Sequence, residues 1–265
     1  MTTAGLSGPG RPSSVVCHDE VVMGTVVSFT IHRGDVGTED VRVALSDACA
    51  LLHRADTVFS TWEPQSPMSR IRRNATPLGP RPAEIDEVLD LCRTAREASD
   101  GWFDPWAMPG GVDPTGLVKG WAIELATAAI STAGVSGVVV NGGGDVAVSG
   151  TPGHSGEPWR IGVRHPWRAD ALACVVSVDS SLATSGTYER GNHFVDPRSG
   201  ARSFRAVTAS VVGPSLAMAD AFATAVMVGG DEALRTITAG GRYGVYLVRP
   251  DGSEASGGKI AFLED

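Results

Sequence analysis

Apolar positions recur at two different spacings along the chain, and the spacing changes where glycine and proline gather. Val41, Leu45, Ala48, Leu52, Ala55 and Phe59 follow one another at three- and four-residue steps. That step predicts a helix from Glu39 to about Phe59. Ile85, Val88, Leu89, Cys92 and Ala95 predict a second helix from Glu84 to Ser99, with Gly101 as its stop. The intervening "PQSPMSRIRRNATPLGPRP" is punctuated by prolines and reads as a loop with one helical turn. A third helix is expected over roughly Leu117 to Ala133, and two more over 215–229 and 231–239. The other segments carry β-branched residues between short turns. "VVMGTVVSFTIH" (21–32) reads as a strand broken by Gly24. From Gly137 onward, "GVVVNGGGDVAVSG", "PWRIGVRHP", "ACVVSVDSSLATSG", "NHFVD" and "AVTASVVG" follow, and "YGVYLVRP" and "KIAFLE" close the chain. Short connections favour antiparallel pairing. The order predicts an α+β fold without internal repeats.

Length and composition narrow the class. The chain has 265 residues, enough for one domain or two closely fused halves. Hydrophobic residues make up 42% and charged residues 20%, the balance of an ordinary globular protein. A formal net charge of −8 argues against a nucleic-acid partner. Cys17, Cys49, Cys92 and Cys174 never approach a C-x-x-C spacing, which argues against a zinc site and gives no disulfide framework. Residues 1–14, "MTTAGLSGPGRPSS", have neither a basic nor an apolar region of the secretory kind. They read as a flexible leader to a domain spanning 15–265, and the expected location is the cytoplasm. No run of 18 apolar residues occurs, so no membrane span is expected.

Four stretches could carry chemistry. "MADAFATAV" (218–226) places Asp220 and Thr224 one helical turn apart on one face. Two hard oxygens so placed suit magnesium, which often takes one or two protein ligands. The same pair also fits a carboxylate just past a helix N-terminus and a threonine bonded back to a carbonyl. In "DPTGLVKGWA" (113–122), Asp113, Gly116 and Lys119 stand at a helix entry. A helix N-terminus favours anions, although Asp113 or Thr115 as a cap with a solvated Lys119 is equally consistent. The triple glycine of "VVVNGGGDVAV" admits close backbone approach to a phosphate or a tight turn between two strands. It matches neither a dinucleotide fingerprint nor a Walker sequence. "TSGTYERGNHFVDPRSG" (184–200) carries Ser185, His193 and Asp196 but lacks the nucleophile-elbow pattern. His193 is the best general-base candidate by residue type. His18, His32, His53, His154 and His165 stand in unremarkable contexts.

Taken together, seven stretches in order resemble the FAD:protein FMN transferase, or ApbE, family. They are "MGTVVSF", "FSTWEPQSPMSRI", "DGWFDP", "DPTGLVKGWA", "NGGGDVAVSG", "SLATSGTYERGNHFVDPRSG" and "VTASVVGPSLAMADAFATAV", from residue 23 to residue 226. The resemblance implies a single compact domain of mainly antiparallel sheet packed with helices, related to the T-fold. It implies magnesium-dependent transfer of FMN from FAD to a Ser or Thr hydroxyl of an acceptor protein, with release of AMP. By position it makes Asp220 and Thr224 side-chain magnesium ligands, with the backbone carbonyl of Gly116 as a third. Lys119 and Asp113 fall where the family contacts FAD. Met23, Trp62, Trp102, Phe103 and Asp104 match the flavin-nucleotide pocket, and Gly142, Gly143, Gly144 and Phe194 the nucleotide site. His193 matches a histidine with acid or base duty. An FAD pyrophosphatase and a non-catalytic FAD-binding protein are the alternatives.

Overall fold

The computed structural model of the chain describes residues 15–152, 156–187 and 194–264. The leader and His193 lie outside the described residues. Strands β1 (Val15–Val22) and β2 (Thr25–His32) form a hairpin in which Val22 faces Thr25. Met23 and Gly24 make its two-residue turn, both at positive φ (52° and 69°), the geometry that tight hairpins need. The break expected at Gly24 is therefore a chain reversal, and its first strand reaches back to Val15.

Helices α1 (Thr38–Phe59), α2 (Pro67–Arg72), α3 (Ala83–Ala98) and α4 (Thr115–Ser131) follow. Next come β3 (Gly137–Gly142), β4 (Asp145–Gly150), β5 (Trp159–Arg164), β6 (Leu172–Val178) and β7 (Ser181–Gly186). The chain continues through β8 (Thr208–Gly213), α5 (Leu216–Gly229), α6 (Asp231–Ala239), β9 (Gly244–Val248), β10 (Glu254–Gly258) and β11 (Ala261–Leu263). The five helices with expected bounds start and end within two residues of them, and the helical turn expected in the proline-rich loop is the six-residue α2. The expected "NHFVD" strand is represented among the described residues by a single bridge, Val195 to Arg202. β10 was not expected, because Glu-Ala-Ser-Gly-Gly has no strand-forming pattern.

Eight strands pair antiparallel in the order β1-β2-β3-β4-β7-β8-β9-β10, and β11-β6-β5 form a smaller sheet. The central strands of the large sheet are covered on both faces, whereas β1 keeps one face exposed. Along β4, Val146 and Val148 join one core with Val163 and Val176 of the small sheet, whereas Ala147 joins the helical core. In β9, Val245 and Leu247 likewise face the helices while Tyr246 and Val248 face the small sheet. Side chains alternate across a strand, so covering both faces makes the runs Val146–Val148 of β4 and Val245–Val248 of β9 continuously apolar.

Helix α5 lies at the centre of the helical layer. Every residue from Leu216 to Gly229 is buried except Thr224, which suits a helix apolar all round. Ser215 caps it, its Oγ accepting from Met218 N–H at 3.4 Å. Glu124 of α4 accepts from Ser215 Oγ at 3.0 Å and from Ala217 N–H at 3.1 Å. Two orphan donors of the α5 N-terminus are thus satisfied, and α5 is fixed against α4 there.

Candidate functional site

Where α4 and α5 cross, Gly120 brings two backbones together. A Cβ at Gly120 would lie 2.5 Å from the Leu216 carbonyl oxygen, so no larger residue fits without moving a helix. That approach lets Gly120 N–H donate to Asp220 Oδ2 at 3.1 Å. One turn earlier, a Cβ at Gly116 would sit 3.3 Å from the Thr224 hydroxyl oxygen. The entry of α4 and the Asp220–Thr224 face of α5 are therefore direct neighbours.

A third element closes the site. Gly143 and Gly144 form the turn between β3 and β4 at φ 63° and 93°, and Asn141 Oδ1 accepts from Gly144 N–H at 3.1 Å. This is the strand-turn reading of the triple glycine, set at the edge of a cavity. Asp145, the next residue, is fully buried. It accepts from Thr184 N–H at 3.3 Å and forms an ion pair with Lys119 Nζ. The ammonium also donates to the Gly142 carbonyl at 3.3 Å.

Asp220 is 5% exposed. Burial, and then the Asp145 carboxylate, push its carboxyl well above the usual aspartate range; Lys119 and the Gly120 N–H pull the other way. Two acids with one lysine carry excess negative charge, which burial penalises. A hard divalent cation is the complement such a donor set favours. Asp220, Asp145, the Thr224 hydroxyl and the backbone at Gly116 are all oxygen donors, and no thiol or imidazole lines the cavity among the described residues. The set fits magnesium.

The cavity encloses about 270 Å³. Asp113, Gly116, Lys119, Gly143, Asp220 and Thr224 line its polar side. Asp113 is held by an ion pair to Arg72 and accepts from Thr115 N–H at 3.1 Å and Thr115 Oγ1 at 2.7 Å, so it orders the helix entry. Trp102, Phe103, Asp104 and Phe194 are on its walls too. Asp104 bonds Arg96 Nε at 2.6 Å and Trp106 N–H at 2.9 Å. The Arg198 guanidinium lies 3.7 Å from the centroid of the Trp102 ring, and Trp102 Nε1 is buried without a hydrogen-bond partner among the described residues.

Four expected positions fall elsewhere, among them Gly144, whose N–H is turned to Asn141 Oδ1. Trp62 is 91% exposed and does not line the cavity. Met23 sits half-buried in the β1–β2 turn, where its neighbour Thr25 lines the cavity instead. Gly142 contributes its carbonyl to Lys119 rather than a cavity wall. Sequence reasoning missed Asp145 and Arg72. Asp145 follows the triple glycine directly, but its ion pair crosses from β4 to α4, and only the fold reveals it.

The fold and this donor set define a class: an α+β protein with hard oxygen donors and a helix N-terminus converging on one cavity. The chain belongs to the ApbE family, which it matches over residues 23–110 and 108–247. A FAD:protein FMN transferase of Rhodobacter capsulatus is 35% identical over 152 residues, 54% of this chain and 29% of that protein. The chain thus spans less than a third of that relative's length. One from Chlamydia pneumoniae is 26% identical over 242 residues, covering 68% of this chain and 74% of that one. The solved flavin transferase ApbE from Vibrio cholerae has the same fold, with a TM-score of 0.79 at 19% identity over 93% of this chain and 98% of the other. No helix among the described residues is long and apolar enough to cross a membrane.

Proposed function

We propose that this chain is a magnesium-dependent FAD:protein FMN transferase, which moves FMN from FAD to a Ser or Thr hydroxyl of an acceptor protein and releases AMP. The observation that carries this reading is the buried Asp145–Lys119–Asp220 cluster beside Thr224 and the α4 N-terminus. The names of the relatives support the same reaction class. The reaction is attack of a hydroxyl oxygen on the FMN phosphorus. An O–P bond forms, the P–O–P bridge breaks, AMP leaves with the bridging oxygen, and the hydroxyl proton passes to a base. His193 is the base this reading assigns, by its match to the family's histidine.

Catalysis of this kind rests on positioning and on neutralising phosphate charge. Asp220, Thr224 and the Gly116 carbonyl would hold magnesium, with Asp145 setting the local charge. Magnesium would supply charge neutralisation for the diphosphate. Lys119 offsets the acid pair and adds a cation on the phosphate side. The N–H groups at the start of α4 favour the same anion. Trp102 and Phe103 offer aromatic surface for a ring system. A cavity of about 270 Å³ lies just below the common range for ligand sites of roughly 300–1,000 Å³, so FAD would extend along its open mouth.

The test is incubation with FAD, magnesium and candidate acceptor proteins. The expected result is in-gel flavin fluorescence on an acceptor and one AMP per label, both lost in Asp220→Ala. Free FMN with AMP and no labelled acceptor would establish a pyrophosphatase instead. Flavin binding without AMP would establish a non-catalytic binding protein.

A further inference from the structure

A second group of ligand-type side chains, none of which lines the cavity, gathers at the sheet edge where α1 crosses β1. His18 and Glu20 alternate with exposed Cys17 and Asp19 along β1, so they share one face of the strand. Cys49 and His53 are one turn apart on α1 and share one face of that helix. The two pairs meet. His18 Nε2 lies 3.1 Å from Glu20 Oε2, and His53 Nε2 lies 2.8 Å from Glu20 Oε1. Ligand atoms of His18, Glu20 and Cys49 all fall within 4.8 Å of one another. The His18 ring is further placed by Phe29, with centroids 5.9 Å apart.

We propose that His18, Glu20, Cys49 and His53 bind one borderline divalent cation of the zinc class, at a site separate from the catalytic cavity. Imidazole, thiolate and carboxylate are the ligand types zinc takes, four at a time. Tetrahedral bonds of roughly 2.0–2.3 Å put ligand atoms about 3.3–3.8 Å apart, so His18, Glu20 and Cys49 need a closure of only about an ångström, and the exposed His53 ring, already 2.8 Å from Glu20, swings in as the fourth ligand. Charge also balances, since one carboxylate and one thiolate neutralise a dication. Binding is a ligand exchange without redox chemistry. The thiol loses its proton to solvent as the metal–sulfur bond forms, and each imidazole moves its proton to Nδ1 to free Nε2.

A reactive-thiol role fits this place poorly. Burial, and then the Glu20 charge, push the Cys49 thiol up to about 11, the opposite of what nucleophilic or redox-sensing cysteines require. The site also escapes the cysteine-spacing argument made from the sequence. Its ligands are H-x-E on a strand and C-x-x-x-H on a helix, and neither fragment is a motif alone.

The test is cobalt titration of the tag-free, chelator-stripped chain, without FAD and with excess magnesium covering the oxygen-rich cavity. The expected result is a near-ultraviolet thiolate-to-cobalt band with tetrahedral visible bands, saturating at one cobalt per chain and bleached by zinc. Cys49→Ser should abolish the thiolate band, whereas Cys17→Ser, on the opposite face, should keep it. His18→Ala and His53→Ala should each weaken affinity more than about 10-fold, the lower end of what even outer-shell losses cost. No thiolate band in the wild-type chain, or an equal band and affinity in Cys49→Ser, would overturn the assignment. Because the spectrum is read without FAD, the outcome is independent of the transferase reading.

Discussion

The crossing of α4 and α5 sets where Asp220 sits, and Gly120→Ala perturbs that crossing with one methyl group. A Cβ there meets the Leu216 oxygen at 2.5 Å, the Leu216 carbonyl carbon at 2.9 Å and Asp220 Cβ at 3.0 Å. Ordinary contact begins near 3.4 Å, so the α5 backbone must retreat by about 0.9 Å at its N-terminal turn. Two stability effects oppose one another. Replacing glycine by alanine inside a helix gains about 0.5–1 kcal/mol, while overpacking costs about 1–3 kcal/mol. Stretching the 3.1 Å Gly120–Asp220 hydrogen bond adds to the cost. The net expectation is a destabilisation of about 1–2 kcal/mol, read from urea unfolding. Activity should fall much further. Displacing a catalytic group by about an ångström costs about 100-fold, so AMP release should drop by that order in folded protein. A Gly120→Ala variant with wild-type turnover and unchanged or raised stability would refute the view that this contact places Asp220.

The acid pair gives a pH-dependent prediction. The raised Asp220 carboxyl contributes stability that is full below the ordinary aspartate range and lost as pH rises through its folded-state value. Thermal melts of chelated protein should therefore show Asp220→Asn gaining on wild type as pH rises, while AMP release is abolished; a gap that shrinks with pH contradicts the sign. Lys119→Met removes the cation paired with buried Asp145. The usual cost of breaking a buried pair is about 3–5 kcal/mol, and Lys119, with a side chain 24% exposed, should cost about 2–3 kcal/mol. Asp145→Asn in the same chain should recover most of that loss in a double-mutant cycle. Trp62→Ala, at a residue 91% exposed and off the cavity wall, should change stability by less than about 0.5 kcal/mol and leave the KM for FAD unchanged; a raised KM would place it on the flavin.

Much of the fold was legible because local pattern and burial agree. The amphipathic stripes of α1 and α3 gave both helices within a residue at either end, since each buries one face. The central strands were visible as apolar runs, but their runs carry no sign of which neighbour covers which face. β10 was invisible because Glu254–Gly258 pairs through its backbone with β9, and its glycines and serine show no periodicity. In the candidate site, Asp220 and Thr224 announced themselves as polar residues in an apolar helix. Asp145 did not, because its meaning is a contact with Lys119 that local sequence does not encode. His18 and His53 looked ordinary for the same reason, standing 35 residues apart in the chain with Glu20 between their rings in space.

In the proposed function, Asp220 holds a divalent cation against a diphosphate, with Thr224 and the Gly116 carbonyl as the other ligands and buried Asp145 setting the local charge. Crystals grown with FAD and manganese in place of magnesium test it through the anomalous signal of the metal. The expected result is a peak within coordination distance of Asp220, Thr224 and the Gly116 carbonyl, in contact with the FAD diphosphate. A peak bound elsewhere, or a diphosphate seated in the cavity against Lys119 with no metal at Asp220, would contradict it.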